Sequence, residues 1–258
     1  MWYNNGIKVK KRLAMLKRTQ KYKAVIFDKD GTLLDFEALW LSISEAALTE
    51  ILEKLGKSPT LLADILAAYG VEDGIARIDG ILCYGTYDDM SEAAYRILAQ
   101  DGISLSREEF HGLLVEVYHR HMASGNILPI CPALPETLLA FRRAGHRLFV
   151  VTSDDENGAE KCLVALGIRG LFEKVYAHTE GRPHKPSAEL FRLICEENGL
   201  SPDEIVMVGD SLVDIQFGKN GGATAVGVGK SPVNRALLEA AGADFVLPDV
   251  SFLGKVLR

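Results

Sequence analysis

Long apolar runs are missing from this sequence, and none approaches the roughly 20 residues that a membrane-spanning helix requires. A membrane protein is therefore not expected. Cysteine is sparse: Cys83, Cys131, Cys162 and Cys195 are scattered through 258 residues, without a Cys-x-x-Cys pair or a nearby histidine at metal spacing. That pattern excludes a disulfide framework and a thiolate metal centre, and fits free, mostly buried thiols in a reducing cytoplasm. Excess positive charge is missing too. A net charge of −6 and a pI of 5.6 give the whole protein no electrostatic footing for nucleic acid. Repeats and low-complexity tracts do not occur. Acidic residues are absent from Met1 to Lys23, which carries Lys8, Lys10, Lys11, Arg12, Lys17, Arg18, Lys21 and Lys23. This stretch has neither the apolar core of a secretory signal nor the serines of a transit peptide. It reads as a basic, disordered leader over residues 1–20, with Met15 as an alternative start.

What remains is an ordinary globular balance, with 48% hydrophobic and 25% charged residues. Short apolar runs without polar alternation stand at Ala24–Phe27, Leu148–Val151, Ile205–Val208 and Ala223–Val228. Weaker ones lie at Lys174–Tyr176 and Phe245–Leu247. Such runs are expected of strands buried on both faces, as in a parallel sheet. Between them, helical periodicity predicts helices at Glu136–Ala144, Glu156–Leu166, Ser187–Asn198 and Val233–Ala241, several closed by a glycine. The alternation predicts a doubly wound, Rossmann-like α/β fold.

One segment breaks the rhythm. From Glu37 to Ser124 only helical patterns appear, at Glu37–Leu55, Leu61–Tyr69, Met90–Gln100 and Arg107–His121. That is too much chain for a single crossover of a dozen or so residues. It predicts an all-helical cap domain over residues 36–125, inserted into an α/β core formed by 21–35 and 126–258.

Ligands of open parallel sheets bind beyond the carboxyl ends of the strands, so the residues just past each strand are informative. After the first comes Asp28-Lys29-Asp30-Gly31-Thr32-Leu33. Gly31 permits the turn that lets both carboxylates face one cleft. After the second comes Thr152-Ser153-Asp154-Asp155, then Lys185 ahead of a helix opened by Pro186, then Gly209-Asp210-Ser211-Leu212-Val213-Asp214. Singly, these are turn residues, helix caps, a surface lysine and a helix-start acid. Their ordered occurrence at strand ends points to chemistry on a phosphate.

This ordered set resembles the four motifs of the haloacid dehalogenase superfamily, most closely the branch that contains phosphoglycolate phosphatase and β-phosphoglucomutase. The likeness extends over nearly the whole chain. It includes the inserted cap and a Pro-rich lead-in at Pro129–Glu136, where Cys131-Pro132-Ala133 replaces the more usual aromatic-Pro-Gly turn. Phe36 stands where that branch usually has Ser or Thr, which leaves the start of the cap without a hydroxyl helix cap. A carboxylate at Asp30 is absent from dehalogenases and phosphonate-cleaving members, so its presence implies phosphoester chemistry.

The resemblance and the chemistry of a phosphomonoester then assign roles. Asp28 is the nucleophile that forms an aspartyl-phosphate, and Asp30 is the general acid and base, its pKa raised by neighbouring carboxylates. Thr152 and Lys185 complete the catalytic set. Mg²⁺ is the implied cofactor, held by Asp28, the backbone carbonyl of Asp30, and Asp210. Ser153 and Gly31 help bind phosphate, and Asp214 acts on the metal through water. In the cap, the stretch 80–87 is expected to be a loop dipping into the cleft, with Arg77, Tyr84 and Thr86 selecting the substrate. The expected protein is a cytoplasmic Mg²⁺-dependent phosphatase acting on a small phosphorylated metabolite, with phosphoglycolate the first guess. No nucleic-acid or membrane partner is expected, and it is a monomer or weak homodimer. A β-phosphoglucomutase-like phosphomutase is the alternative inside the enzyme class. A phosphoacceptor domain of the receiver type is the alternative outside it, disfavoured because its phosphorylated aspartate comes after a middle strand and no cap is inserted.

Overall fold

The run Ala24–Phe27 has no polar alternation because both faces of strand β1 are covered, and all four side chains are buried. The computed structural model describes residues 21–122 and 125–257. The basic leader and Met15 lie outside these residues. Among the described residues, no helix is long and apolar enough to cross a membrane.

After β1 the chain builds a helical layer. A turn of π-helix at Glu37–Leu41 runs into α1 (Ser42–Lys54), followed by α2 (Leu61–Ala68). A small antiparallel hairpin comes next, β2 (Val71–Glu72) and β3 (Ile75–Ala76). Then come a single helical turn, α3 (Ile81–Tyr84), and two longer helices, α4 (Tyr87–Gln100) and α5 (Arg107–Met122). Leu48, Tyr69, Leu98, Phe110 and Tyr118 are buried in the cluster that these helices enclose. The hairpin corrects the expectation of an all-helical cap. Its strands are two residues each, too short for alternation to register. Its turn, Asp73-Gly74, has both residues at positive φ, 50° and 73°, the Asp-Gly signature of tight hairpins.

The chain then returns through α6 (Leu134–Arg143) to β4 (Arg147–Asp155), α7 (Glu156–Ala165) and β5 (Lys174–His178). It continues through α8 (Ala188–Asn198), β6 (Ile205–Gly209), α9 (Leu212–Gly221), β7 (Thr224–Val228), α10 (Pro232–Ala240) and β8 (Phe245–Leu247). Six strands form one sheet in the order β5-β4-β1-β6-β7-β8, every pair parallel. One face carries Val25, Phe27, Val150 and Val208 against Leu138 of α6 and Leu163 of α7. The other carries Ile26, Phe149 and Met207 against Phe191 of α8 and Phe217 of α9. This two-sided burial is why the strands read as unbroken apolar runs. From β1 the chain runs outward on one side through β4 and β5, then resumes at β6 on the other. The switch point therefore lies at the carboxyl end of β1.

The two crossings between sheet and cap lie side by side. Leu34 and Pro129 form an antiparallel bridge, Asp35 N–H donates to the Leu128 carbonyl at 2.9 Å, and Ile130 N–H donates to that of Leu33 at 2.9 Å. Phe36 contributes no side-chain cap, as expected. Asp35 does that work instead, its Oδ1 accepting from Ala38 N–H at 3.2 Å. A third attachment comes from α10. Asn234 donates to the Ala76 carbonyl at 3.0 Å and accepts from Ile78 N–H at 3.2 Å, both in the cap.

Candidate active site

Asp28 comes directly after the last residue of β1, flanked by the carboxyl ends of β4 and β6, and is 7% exposed. Lys185 arrives from the loop between β5 and α8. Its Nζ donates to Asp28 Oδ1 at 2.5 Å and to Asp214 Oδ1 at 2.7 Å. Asp214 is fixed in turn by the first turn of α9, where it and Ser211 form a capping box and Ser211 Oγ donates to Asp214 Oδ2 at 2.6 Å. Burial would lower the pKa of the Lys185 ammonium, but Asp214 and Asp28 outweigh it and hold the group above the usual lysine range. A buried ammonium with two carboxylates is stable only because each charge is met.

Asp210, beyond β6, completes the acidic set. Oxygens of Asp28, Asp210 and Asp214 lie within 4.8 Å of one another. Burial, then Asp28 and Asp214, push the Asp210 carboxyl well above the carboxylate range. Burial likewise lifts Asp28 to about 7, opposed by Lys185. Three carboxylates crowded around one ammonium carry more negative charge than the pocket neutralises. A hard divalent cation with oxygen ligands would relieve it, so this donor set fits a metal ion. Gly31 keeps the space open: at φ 69°, a Cβ there would stand 2.0 Å from Asp210 Oδ2. Thr32 Oγ1 donates to Asp210 Oδ1 at 3.3 Å.

Asp30 also lines the cavity. Its carboxyl is held above the ordinary range chiefly by burial, with Lys29 opposing. The direction matches expectation, but desolvation rather than neighbouring carboxylates leads. The indole of Trp40, from the cap, also favours the charged form of this carboxylate. Lys29 has no role among the sequence expectations, yet it is fully buried and donates to both Asp30 oxygens at 2.6 and 2.7 Å. Its signal in the sequence is a charged residue at the end of an apolar strand, between two acids.

Thr152 is buried, and its Oγ1 accepts from Asp154 N–H at 3.2 Å; Ser153 is exposed, and both line the cavity. Neither starts a helix, contrary to expectation. Strand β4 continues through them, and Asp155 caps α7 by accepting from Gly158 N–H at 2.9 Å. Nor does Pro186 open α8; Ser187 is its cap.

A cavity of about 930 Å³ separates these groups from the cap. The cap side is largely aromatic and apolar, with Trp40, Leu82, Tyr84, Tyr87, Met90 and Tyr118. The expected substrate-selecting residues divide. Tyr84 lines the cavity and is 67% exposed, but it ends the helical turn α3 rather than belonging to an open loop. Thr86 also lines the cavity, with its hydroxyl spent on a capping box with Asp89 at the start of α4. That box also explains why α4 begins at Tyr87 and not Met90. Arg77 is absent from the lining. Its guanidinium forks onto Asp79 at 2.9 and 2.7 Å, with Glu72 beside it. Among the described residues lining the cavity, Lys185 is the only cationic side chain.

Comparison with known proteins places the chain in a family and a fold. A family model described as haloacid dehalogenase-like hydrolase matches residues 22–222. Pyrophosphatase PpaX of Bacillus velezensis is 27% identical, over 91% of this chain and 95% of that protein. Phosphoglycolate phosphatase of Chromobacterium violaceum is 28% identical, over 92% of this chain and 96% of that protein. In three dimensions, a HAD family hydrolase of Deinococcus radiodurans R1, solved with bound phosphate and sodium, superposes with a TM-score of 0.65. It shares 23% identity and covers 92% of this chain and 96% of that one.

Proposed function

The chain belongs to the haloacid dehalogenase-like hydrolase family, and from that premise we propose that it hydrolyses a small-molecule phosphate monoester through an aspartyl-phosphate on Asp28. The observation that carries the reading is the buried Asp28 carboxylate. It is held by Lys185 beside Asp210 and opens on a cavity large enough for a metabolite. An Asp28 oxygen attacks phosphorus, the bond to the ester oxygen breaks, and Asp30 supplies the proton that oxygen needs. Asp30 then takes a proton from water as the water attacks the phosphorylated intermediate, releasing phosphate and restoring the Asp28 carboxylate. Lys185 offsets repulsion between Asp28 and the incoming phosphate, and Thr152 and Ser153 supply hydroxyls to its oxygens. Asp28, Asp210 and the backbone carbonyl of Asp30 are the ligands assigned to Mg²⁺, with Asp214 acting through water. When bound, the ion would neutralise charge on the phosphoryl oxygens.

The cap over residues 36–125 excludes bulk water and admits small substrates rather than protein or nucleic acid. The phosphoglycolate phosphatase among the relatives makes phosphoglycolate the first substrate to test. The capacity of the cavity calls for bulkier alcohol esters in the same panel. We place the enzyme in the cytoplasm, as a monomer or weak homodimer. A phosphomutase would use the same groups and differs in returning the phosphoryl to the substrate. Asp28→Asn decides the covalent step: turnover is expected to vanish, and beryllofluoride to bind the wild type but not the variant. Turnover by Asp28→Asn within about tenfold of wild type would end this mechanism.

A further inference from the structure

Lys29 is an unusual presence at the end of a buried strand. Its side chain has no exposed surface and does not line the cavity, so it cannot touch a substrate there. Its Nζ holds both oxygens of Asp30 and stands 3.0 Å from Asp154 Oδ2, with Cys162 Sγ on α7 at 4.0 Å. The ammonium thus joins the turn after β1 to the polar extension of β4.

A stability role explains this poorly. Replacing a buried ion pair with apolar groups of similar volume is often neutral or stabilising, so such pairs are weak devices for holding a fold together. Nor does β4 need the bridge, since its register with β1 is already set along Arg147–Val150. What the ammonium does fix is a direction. An aspartate side chain otherwise rotates about two bonds, and two short charge-assisted bonds to one donor hold its carboxylate in one orientation.

We propose that Lys29 is a positioning residue: it clamps the Asp30 carboxylate on the cavity wall in the orientation from which proton transfer occurs, and anchors that orientation to β4 through Asp154. The inference rests on the reading of Asp30 as acid and base. Proton transfer falls off steeply when a group is misplaced by an ångström, so the clamp bears on rate and not on binding.

The test uses full-length protein with Mg²⁺ and two esters, p-nitrophenyl phosphate and the best alkyl phosphate from the metabolite panel. Lys29→Met keeps an unbranched side chain, one heavy atom shorter, and removes the charge. Its kcat on the alkyl ester is expected to fall by about tenfold or more, with KM within about threefold. On p-nitrophenyl phosphate, whose leaving group needs no proton, the burst should keep its amplitude and rate while the subsequent steady state slows. Introduced into Asp30→Asn, Lys29→Met should cost less than about twofold more, because a residue acting through Asp30 has nothing left to position. Asp154→Asn, which leaves Lys29 and Asp30 in place, should give the same pattern in weaker form, and it carries the test if Lys29→Met does not fold. Equal losses on both esters including the burst, no loss at all, or full additivity with Asp30→Asn would overturn the proposal. An absent burst in wild type together with an active Asp28→Asn would instead sink the phosphatase reading itself.

Discussion

Gly31→Ala isolates the geometry of the acidic cluster. Two costs attach to a methyl group there. The first is conformational: at φ 69°, an L-residue incurs about 1–2 kcal/mol that glycine does not. The second is a collision, with the new Cβ 2.0 Å from Asp210 Oδ2 and 2.4 Å from its Cγ. Ordinary contact is about 3.5 Å, so the carboxylate must retreat by about 1.5 Å. A displacement of that size costs on the order of 10²-fold in a positioned reaction. Gly56→Ala is the matching control, since Gly56 has φ 62° and a Cβ there would meet nothing within 4 Å. Both variants should lose the conformational term, seen as a drop in melting temperature of about 2–8 °C. Only Gly31→Ala should also lose about 10²-fold in kcat/KM and require more Mg²⁺ for half-maximal activity. Melting curves and Mg²⁺ titrations of the pair read this directly. Equal activity in Gly31→Ala and Gly56→Ala would refute the claim that Gly31 makes room for Asp210.

Chelation should abolish activity and Mg²⁺ restore it, and the same ion should raise the melting temperature more at pH 8 than at pH 5. The sign follows from Asp28: its pKa is raised from 3.8 to about 7 by burial, so without an ion its contribution to stability is full below 3.8 and lost as pH rises through about 7. A cation competes with that proton, and pH-independent stabilisation by Mg²⁺ would contradict the assignment. Asn234→Ala strips partners from the buried Ala76 carbonyl and Ile78 amide and should cost about 1–3 kcal/mol, with faster hydrogen exchange at Ile78; unchanged exchange would mean the contact is not formed in solution. Tyr84→Ala should change the ranking of substrates by kcat/KM, whereas Arg77→Ala, whose guanidinium is held by Asp79, should leave the ranking alone; the reverse outcome would restore Arg77 as the selector.

The parts legible in the sequence are those with a strong local cause. Buried parallel strands announce themselves as unbroken apolar runs, and Asp28, Lys185, Asp210 and Asp214 stand where such strands give way to loops or helices. The hydrogen-bonded extension of β4 through Thr152–Asp155 is hidden because its residues are polar, and pairing with β5 resumes only at Asp155 and His178 after a register shift. The hairpin at 71–76 is foreshadowed only by Asp73-Gly74. At Thr86, Thr-x-x-Asp spells a capping box, a local pattern that outranks any expectation about a distant ligand. Arg77 stands outside the cavity lining for a related reason: its acids, Glu72 and Asp79, are near in sequence, but only the hairpin brings Glu72 beside it. The signal of Lys29 is easily passed over, because a lysine between two aspartates reads as surface until the strand before it is known to be central.

The attachment of α10 to the cap has a kinematic consequence. A body joined by two adjacent chain crossings behaves as a door on its hinge, free to swing about one line. The crossings at Leu34 and Pro129 form such a line. Asn234, bonded to both Ala76 and Ile78, acts as a latch at a separate point. A swinging motion about the hinge that separates hairpin from α10 must release two hydrogen bonds together. Swinging in that direction would therefore be resisted by a polar contact made by a residue absent from the lining of the large cavity.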